Sequence, residues 1–151
     1  MRRRTLVLGV LGCLLVVVPA VRAEGPALVD GVSGVPIEWD AWVAKHGPAA
    51  VLMWSSWTPG ADEAIDAHAA IAAACREADL ELILLDVQEP IADARAVLGS
   101  KGIAWIHDRH GALLKQYRVI RVPSLVIVSS KGEALARLEP TAAAVGGWKN
   151  Q

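Results

Sequence analysis

The chain has 151 residues, 54% of them hydrophobic, with 15 Lys and Arg against 16 Asp and Glu and a formal net charge of −1. That length suits one domain with a sizeable core, and the even charge, with no basic cluster beyond the first residues, argues against nucleic acid as a partner. Two cysteines, Cys13 and Cys75, are too few for a disulfide framework.

Arg2, Arg3 and Arg4 precede an apolar run from Thr5 to Pro19, and Val21-Arg22-Ala23 has the small-x-small form of a cleavage site. Residues 1–23 therefore read as a secretory signal peptide, and the apolar run is shorter than the ~20 residues of a spanning helix. The expected destination is periplasmic or otherwise extracytoplasmic. Retention of the segment, leaving the chain membrane-anchored, is the alternative and the one route by which a membrane would enter. Cleavage after Ala23 removes Arg2, Arg3, Arg4, Arg22 and Cys13, so the remaining chain is acidic and Cys75 is its only thiol. In an oxidising compartment that thiol has no internal partner.

Residues 24–35 read as an extended leader, rich in Gly, Pro and Val, with a strand or hairpin near Ala27-Val29 and Gly31-Val35. Pro36 suits the first position of a helix, which runs to Lys45 with Trp39, Trp42 and Val43 on one face, and Gly47-Pro48 stops it. Ala50 to Ser55 is a continuous apolar run of strand length, as expected of a central strand covered on both faces. Pro59 opens a helix with Asp62, Glu63 and Asp66 near its positive end. On one uninterrupted helix, Ile65, His68, Ala69, Ile71, Ala72 and Cys75 share the packing face. Leu80 to Val87 is a second buried strand, Pro90 to Leu98 a helix, and Ile103 to Ile106 a third strand before a turn at Asp108-Gly111. A short helix over Leu113 to Tyr117 precedes a strand at Leu125-Val128, a turn at Ser129-Gly132, a returning strand to Leu138 and a last helix from Thr141 to Trp148. Alternating strands and helices predict a largely parallel sheet with a terminal antiparallel hairpin.

Two stretches carry a resemblance. One is Trp54-Ser55-Ser56-Trp57-Thr58-Pro59-Gly60-Ala61, and the other is Tyr117-Arg118-Val119-Ile120-Arg121-Val122-Pro123, followed by an apolar strand and Lys131-Gly132-Glu133. From residue 36 onward the chain resembles the thioredoxin-like superfamily, and its exported TlpA-type redoxin branch in particular. The resemblance implies a three-layer α/β/α sandwich with a central mixed sheet and a C-terminal β-hairpin, filling residues 36–151. It also implies that Pro123 stands where the family carries its cis-proline and that Val122 lies along a peptide-binding groove. Thr58 and Ala61 occupy the two positions of the family's Cys-x-x-Cys pair, and Leu52 the place of a buried carboxylate found in many relatives. Arg118 and Arg121 stand at glycines of the Tyr-Gly-Val-x-Gly-x-Pro form.

Thiol–disulfide exchange needs an activated thiolate and a resolving thiol, and neither stands at Thr58 or Ala61. The functional expectation is a degenerate, non-catalytic module that binds an exported protein or peptide through Trp57, Thr58, Pro59, Val122 and Pro123, with Arg121 at the rim. No catalytic residue, cofactor or metal is implied. His107 and His110 have H-x-x-H spacing but no third ligand, His68 is expected as a satisfied core residue, and Thr58 is expected to cap the following helix. Two alternatives stay open. Cys75 could serve as a lone redox thiol resolved by an external one, or Trp39, Trp42 or Trp148 could form an assembly contact.

Overall fold

The computed structural model describes residues 28–149. Residues 1–23, expected to be a signal peptide, and residues 24–27, the start of the expected leader, lie outside them. Twelve elements alternate along the described chain. They are β1 (Leu28–Asp30), α1 (Trp39–His46), β2 (Ala49–Trp54), α2 (Ala61–Asp66), α3 (His68–Glu77), β3 (Glu81–Val87), α4 (Ile91–Leu98), β4 (Trp105–Asp108), α5 (Ala112–Gln116), β5 (Ser124–Val128), β6 (Ala134–Leu138) and α6 (Ala142–Lys149).

The six strands form one sheet in the order β1-β4-β3-β2-β5-β6. β2, β3 and β4 run parallel, and β1, β5 and β6 pair antiparallel with their neighbours. β2 lies between β3 and β5, and all six of its residues are buried. Because side chains alternate across a strand, Ala50, Leu52 and Trp54 enter one apolar cluster and Ala49, Val51 and Met53 the other. The first cluster holds residues of α2, α3, α4 and α6, and the second holds residues of α1 and α5. Helices thus cover both faces, as expected of the three-layer α/β class, and the β5–β6 hairpin ends the sheet.

Several local expectations shift. The leader is part of the sheet: Leu28–Asp30 pairs with Ile106–Asp108, and Pro36 bridges to Val29. The expected leader strand thus joins the sheet ahead of residue 36, where the edge of β4 takes up its backbone donors and acceptors. The helix after Pro59 is not continuous. It divides at Ala67, which keeps right-handed dihedrals (φ −79°, ψ −11°) and donates to the Glu63 carbonyl at 2.9 Å. Ala69 is exposed and His68 half-buried, while Ile71 and Cys75 stay in the core. The third strand lies two residues further on than its apolar letters suggest, because its register against Leu84–Val87 starts at Trp105.

On the α1 face, the Trp39 indole donates to the Tyr117 hydroxyl at 2.7 Å, and that hydroxyl donates to the Gly132 carbonyl at 2.9 Å. One phenol thus links α1, the end of α5 and the hairpin turn. Trp42 stacks on Trp39 (centroids 5.2 Å apart, planes 4° apart) and on His46 (4.6 Å). Trp39 is only 7% exposed, so the expected core role of this pair holds for Trp39 and the assembly contact loses its accessible indole there. Replacing Tyr117→Phe leaves the buried Trp39 N–H without its acceptor. The expected loss of stability is about 1–3 kcal/mol, read as a lower midpoint in urea unfolding, and an unchanged midpoint would count against the bridge.

Candidate functional site

The site is built where β2 ends. Trp54 is fully buried and its indole N–H donates to the Ala61 carbonyl at 2.9 Å, tying the strand to the first residue of α2 across the intervening turn. Ser55 is buried and its hydroxyl donates to the Val87 carbonyl. Ser56 donates its N–H to Glu89 Oε1 at 2.8 Å and its hydroxyl to Oε2. The turn is therefore held to the end of β3 and to the segment after it.

Beyond that anchor the chain turns outward. Trp57 is 66% exposed. The Thr58 hydroxyl donates backward to the Ser55 carbonyl at 2.9 Å, so Thr58 closes the turn and does not cap α2. The capping position is Gly60 at φ 85°, a left-handed backbone that glycine adopts without a Cβ penalty. Ala61 is 2% exposed and packs into the core. A thiol at the first of these two positions would be reachable and one at the second would be covered.

The Val122–Pro123 peptide bond is cis. Pro123 packs against the turn closely enough that a Cβ on Gly60 would lie 3.7 Å from its Cδ. The structure thus brings Trp57, Thr58 and Pro59 beside Arg121, Val122 and Pro123. Two grooves flank this contact. One, of about 440 Å³, is lined by Trp57, Thr58, Leu114, Ile120 and Val122 among others. The other, of about 540 Å³, runs past Pro59, Gly60, Glu63, Pro123 and Glu139. Arg121 reaches Glu139 at 3.2 Å, both side chains being largely exposed, and a pair so hydrated is worth little.

Cys75 is not part of this arrangement. It is fully buried on α3, in the apolar cluster with Ile71, Leu80 and Val145, and burial pushes its thiol up to about 11 against a small opposing effect of Arg76. His107 and His110 do not converge either: His107 is buried in β4 and His110 is exposed. Among the described residues no group of three or more His, Cys, Asp or Glu is placed to hold a metal ion. No helix among them is long and apolar enough to cross a membrane.

The residues that sequence reasoning missed lie beneath the turn. β2 carries no carboxylate, and Asp86 supplies one from β3. It pairs in register with Trp54 on one side and His107 on the other, so all three form one row across the sheet. Asp86 is fully buried, its Oδ2 is 2.6 Å from His107 Nδ1, and its Oδ1 has no hydrogen-bond partner among the described residues. Burial pushes Asp86 up to about 9, with the nearby Glu89 carboxylate adding to it and Asp108 and Asp93 contributing further. Burial lowers His107, against the raising effects of Asp108 and Glu89. Together the two groups are net neutral and share one proton. Asp108 is occupied elsewhere, accepting from the Ala112 and Leu113 N–H groups at 2.9 Å each and so capping α5. A lone acid inside the run Leu82-Ile83-Leu84-Leu85-Asp86-Val87 was the available signal, since an unpaired charge does not stay in a buried strand.

No protein-family model matches the chain, and no curated protein matches it. Solved structures do. A secreted Mycobacterium tuberculosis disulfide oxidoreductase, homologous to E. coli DsbE, is 15% identical, with 82% of this chain and 93% of that one covered and a TM-score of 0.62. The chain has a thioredoxin-like fold. MTB DsbF is 13% identical, over 83% of this chain and 96% of that one, with a TM-score of 0.64. StoA from Bacillus subtilis is 18% identical, over 66% and 80%, with a TM-score of 0.56. Within this thioredoxin-like fold, Thr58-Pro59-Gly60-Ala61 occupies the turn between the central strand and the next helix, and Val122–Pro123 the loop beside it.

Two measurements follow from the buried groups. Above the ordinary histidine value of 6.5 the unfolded chain holds neither proton of the Asp86–His107 pair's mobile set, while the folded pair keeps one until Asp86 titrates near about 9. The folded state then binds more protons, so stability falls as pH rises across that window. Asp86→Asn is expected to flatten the decline in urea midpoints between neutral and alkaline pH, and a decline of unchanged slope would remove Asp86 as its source. Separately, native Cys75 is expected to resist iodoacetamide at neutral pH and to react on unfolding, read by mass spectrometry.

Proposed function

We propose that this is an exported thioredoxin-like protein that no longer performs thiol–disulfide exchange and uses the groove beside Pro123 to bind an extended segment of a partner protein. The observation that carries this reading is a mismatch at one place. Trp57 stands 66% exposed over the groove next to the Val122–Pro123 loop, while no cysteine lines that groove and the only described thiol is buried in α3. Exposed aromatic surface beside an accessible backbone is the kind of feature that takes a strand-like ligand. Export rests on the N-terminal pattern of residues 1–23, and a secreted relative in fold accords with it.

Without a thiolate at Thr58 there is no attacking group, and without a second thiol at Ala61 a mixed disulfide has no internal resolution. A Cys75 route would require a thiol raised to about 11 and packed in the core to reach a disulfide in solution. Dithiothreitol-driven insulin reduction is the direct test. The native chain is expected to match its Cys75→Ala variant, and the double substitution Thr58→Cys with Ala61→Cys is expected to exceed both, because the turn geometry is retained. Turnover by the native chain well above Cys75→Ala would overturn the non-catalytic reading.

A further inference from the structure

The groove beside Trp57 has a chemistry of its own. Its apolar anchors are Trp57 and Ile120, the latter fully exposed. Around them it is lined by Lys115, Arg118 and Arg121 and by no acidic residue. Arg121 has Glu139 as a partner, but among the described residues no carboxylate lies within ion-pair distance of Lys115 or Arg118. Two cations therefore border an exposed indole and an exposed isoleucine without internal neutralisation.

Arg118 occupies that place against a backbone preference. Its φ is +52°, in the left-handed region where a residue with a long side chain is strained and glycine is not. The surrounding structure imposes the conformation. Arg137 of β6 donates both Nε (3.0 Å) and Nη2 (2.7 Å) to the Tyr117 carbonyl, which belongs to the peptide preceding Arg118. The Arg118 N–H donates to the Lys115 carbonyl at 3.2 Å. Arg118 directly follows the C-cap of α5, and its left-handed backbone closes that helix, with the Val119 N–H donating to the Leu114 carbonyl at 2.9 Å; the guanidinium is carried at the groove by this helix ending.

We propose that the Trp57 groove takes an extended peptide segment in which an aliphatic or aromatic side chain is flanked by carboxylates. This rests on the groove reading above and adds its ligand class. The apolar side chain seats between Trp57 and Ile120, and its acidic neighbours meet Lys115 and Arg118. The groove is concave, with a volume of about 440 Å³, which a peptide side chain and its backbone can fill and a flat bilayer cannot.

The test uses the purified chain with its native N-terminus and three fluorescein-labelled peptides. They share a central Leu-Val-Leu and carry Glu, Ser or Lys on both flanks. Anisotropy titration is expected to give the Glu peptide about tenfold tighter binding than the Ser peptide, with the Lys peptide weaker still. Added salt is expected to narrow the difference. Lys115→Ser with Arg118→Gly is expected to bring the Glu and Ser peptides within about twofold of each other, and the glycine relieves the left-handed residue, so folding is retained. Equal binding of all three peptides by the native chain overturns the charge class and leaves the groove reading standing. Binding that ignores Trp57→Ala, or no binding of any peptide, removes the groove reading as well. Binding to phosphatidylserine vesicles without peptide binding overturns the proposal in favour of a membrane surface.

Discussion

The Trp54 indole on the Ala61 carbonyl is the contact on which the site end of the molecule depends. It joins the last residue of a strand buried on both faces to the first residue of the helix that covers one of them. The chain between them, Ser55 to Gly60, must therefore close a gap of fixed length. Ser55 is drawn inward to Val87, Ser56 to Glu89, and Thr58 folds back on Ser55. Only Trp57, Pro59 and Gly60 are left facing outward. The exposure of Trp57 is thus a consequence of how completely its neighbours are tied down.

The same geometry separates two chemistries that share this end of the sheet. Outside lies a surface of aromatic, aliphatic and cationic groups around Pro123. Inside lies a row of Trp54, Asp86 and His107 with Glu89 beside it, closed off from solvent. A buried acid paired with a histidine is costly unless the pair stays neutral, and its orphaned Oδ1 adds to that cost. Asp86 places a buried acid on β3, on the same face of the sheet as Leu52 and Trp54.

The groove beside Trp57 combines several groups. Arg118 and Arg121 bring charge, Ile120 brings exposed apolar surface, and Arg137 holds the Tyr117 carbonyl next to Arg118. Thr58 closes a turn and Ala61 fills the core. These features make a surface suited to holding a ligand without modifying it, which is the sense of the functional proposal.

Much of this was legible in the chain by itself. The six apolar residues of β2, the alternation of strands and helices, the hairpin at Ser129-Gly132 and the pairing of the Trp57-Pro59 stretch with Val122-Pro123 follow from local pattern and from family resemblance. So does the absence of cysteine at Thr58 and Ala61, because it is a matter of composition. What local pattern could not decide were features set by register and contact between distant segments. The leader's entry into the sheet depends on a free edge of β4. The Asp86–His107 pair spans 21 positions and exists only because two parallel strands align Asp86 with His107. Arg118 reads as an ordinary surface cation until Arg137, from another strand, is seen to hold its backbone. The sequence by itself determined the fold and the absence of cysteine from positions 58 and 61. Tertiary structure alone decided where the buried proton sits and which charges face the groove, because both depend on strand register and long-range hydrogen bonds that leave no periodic trace.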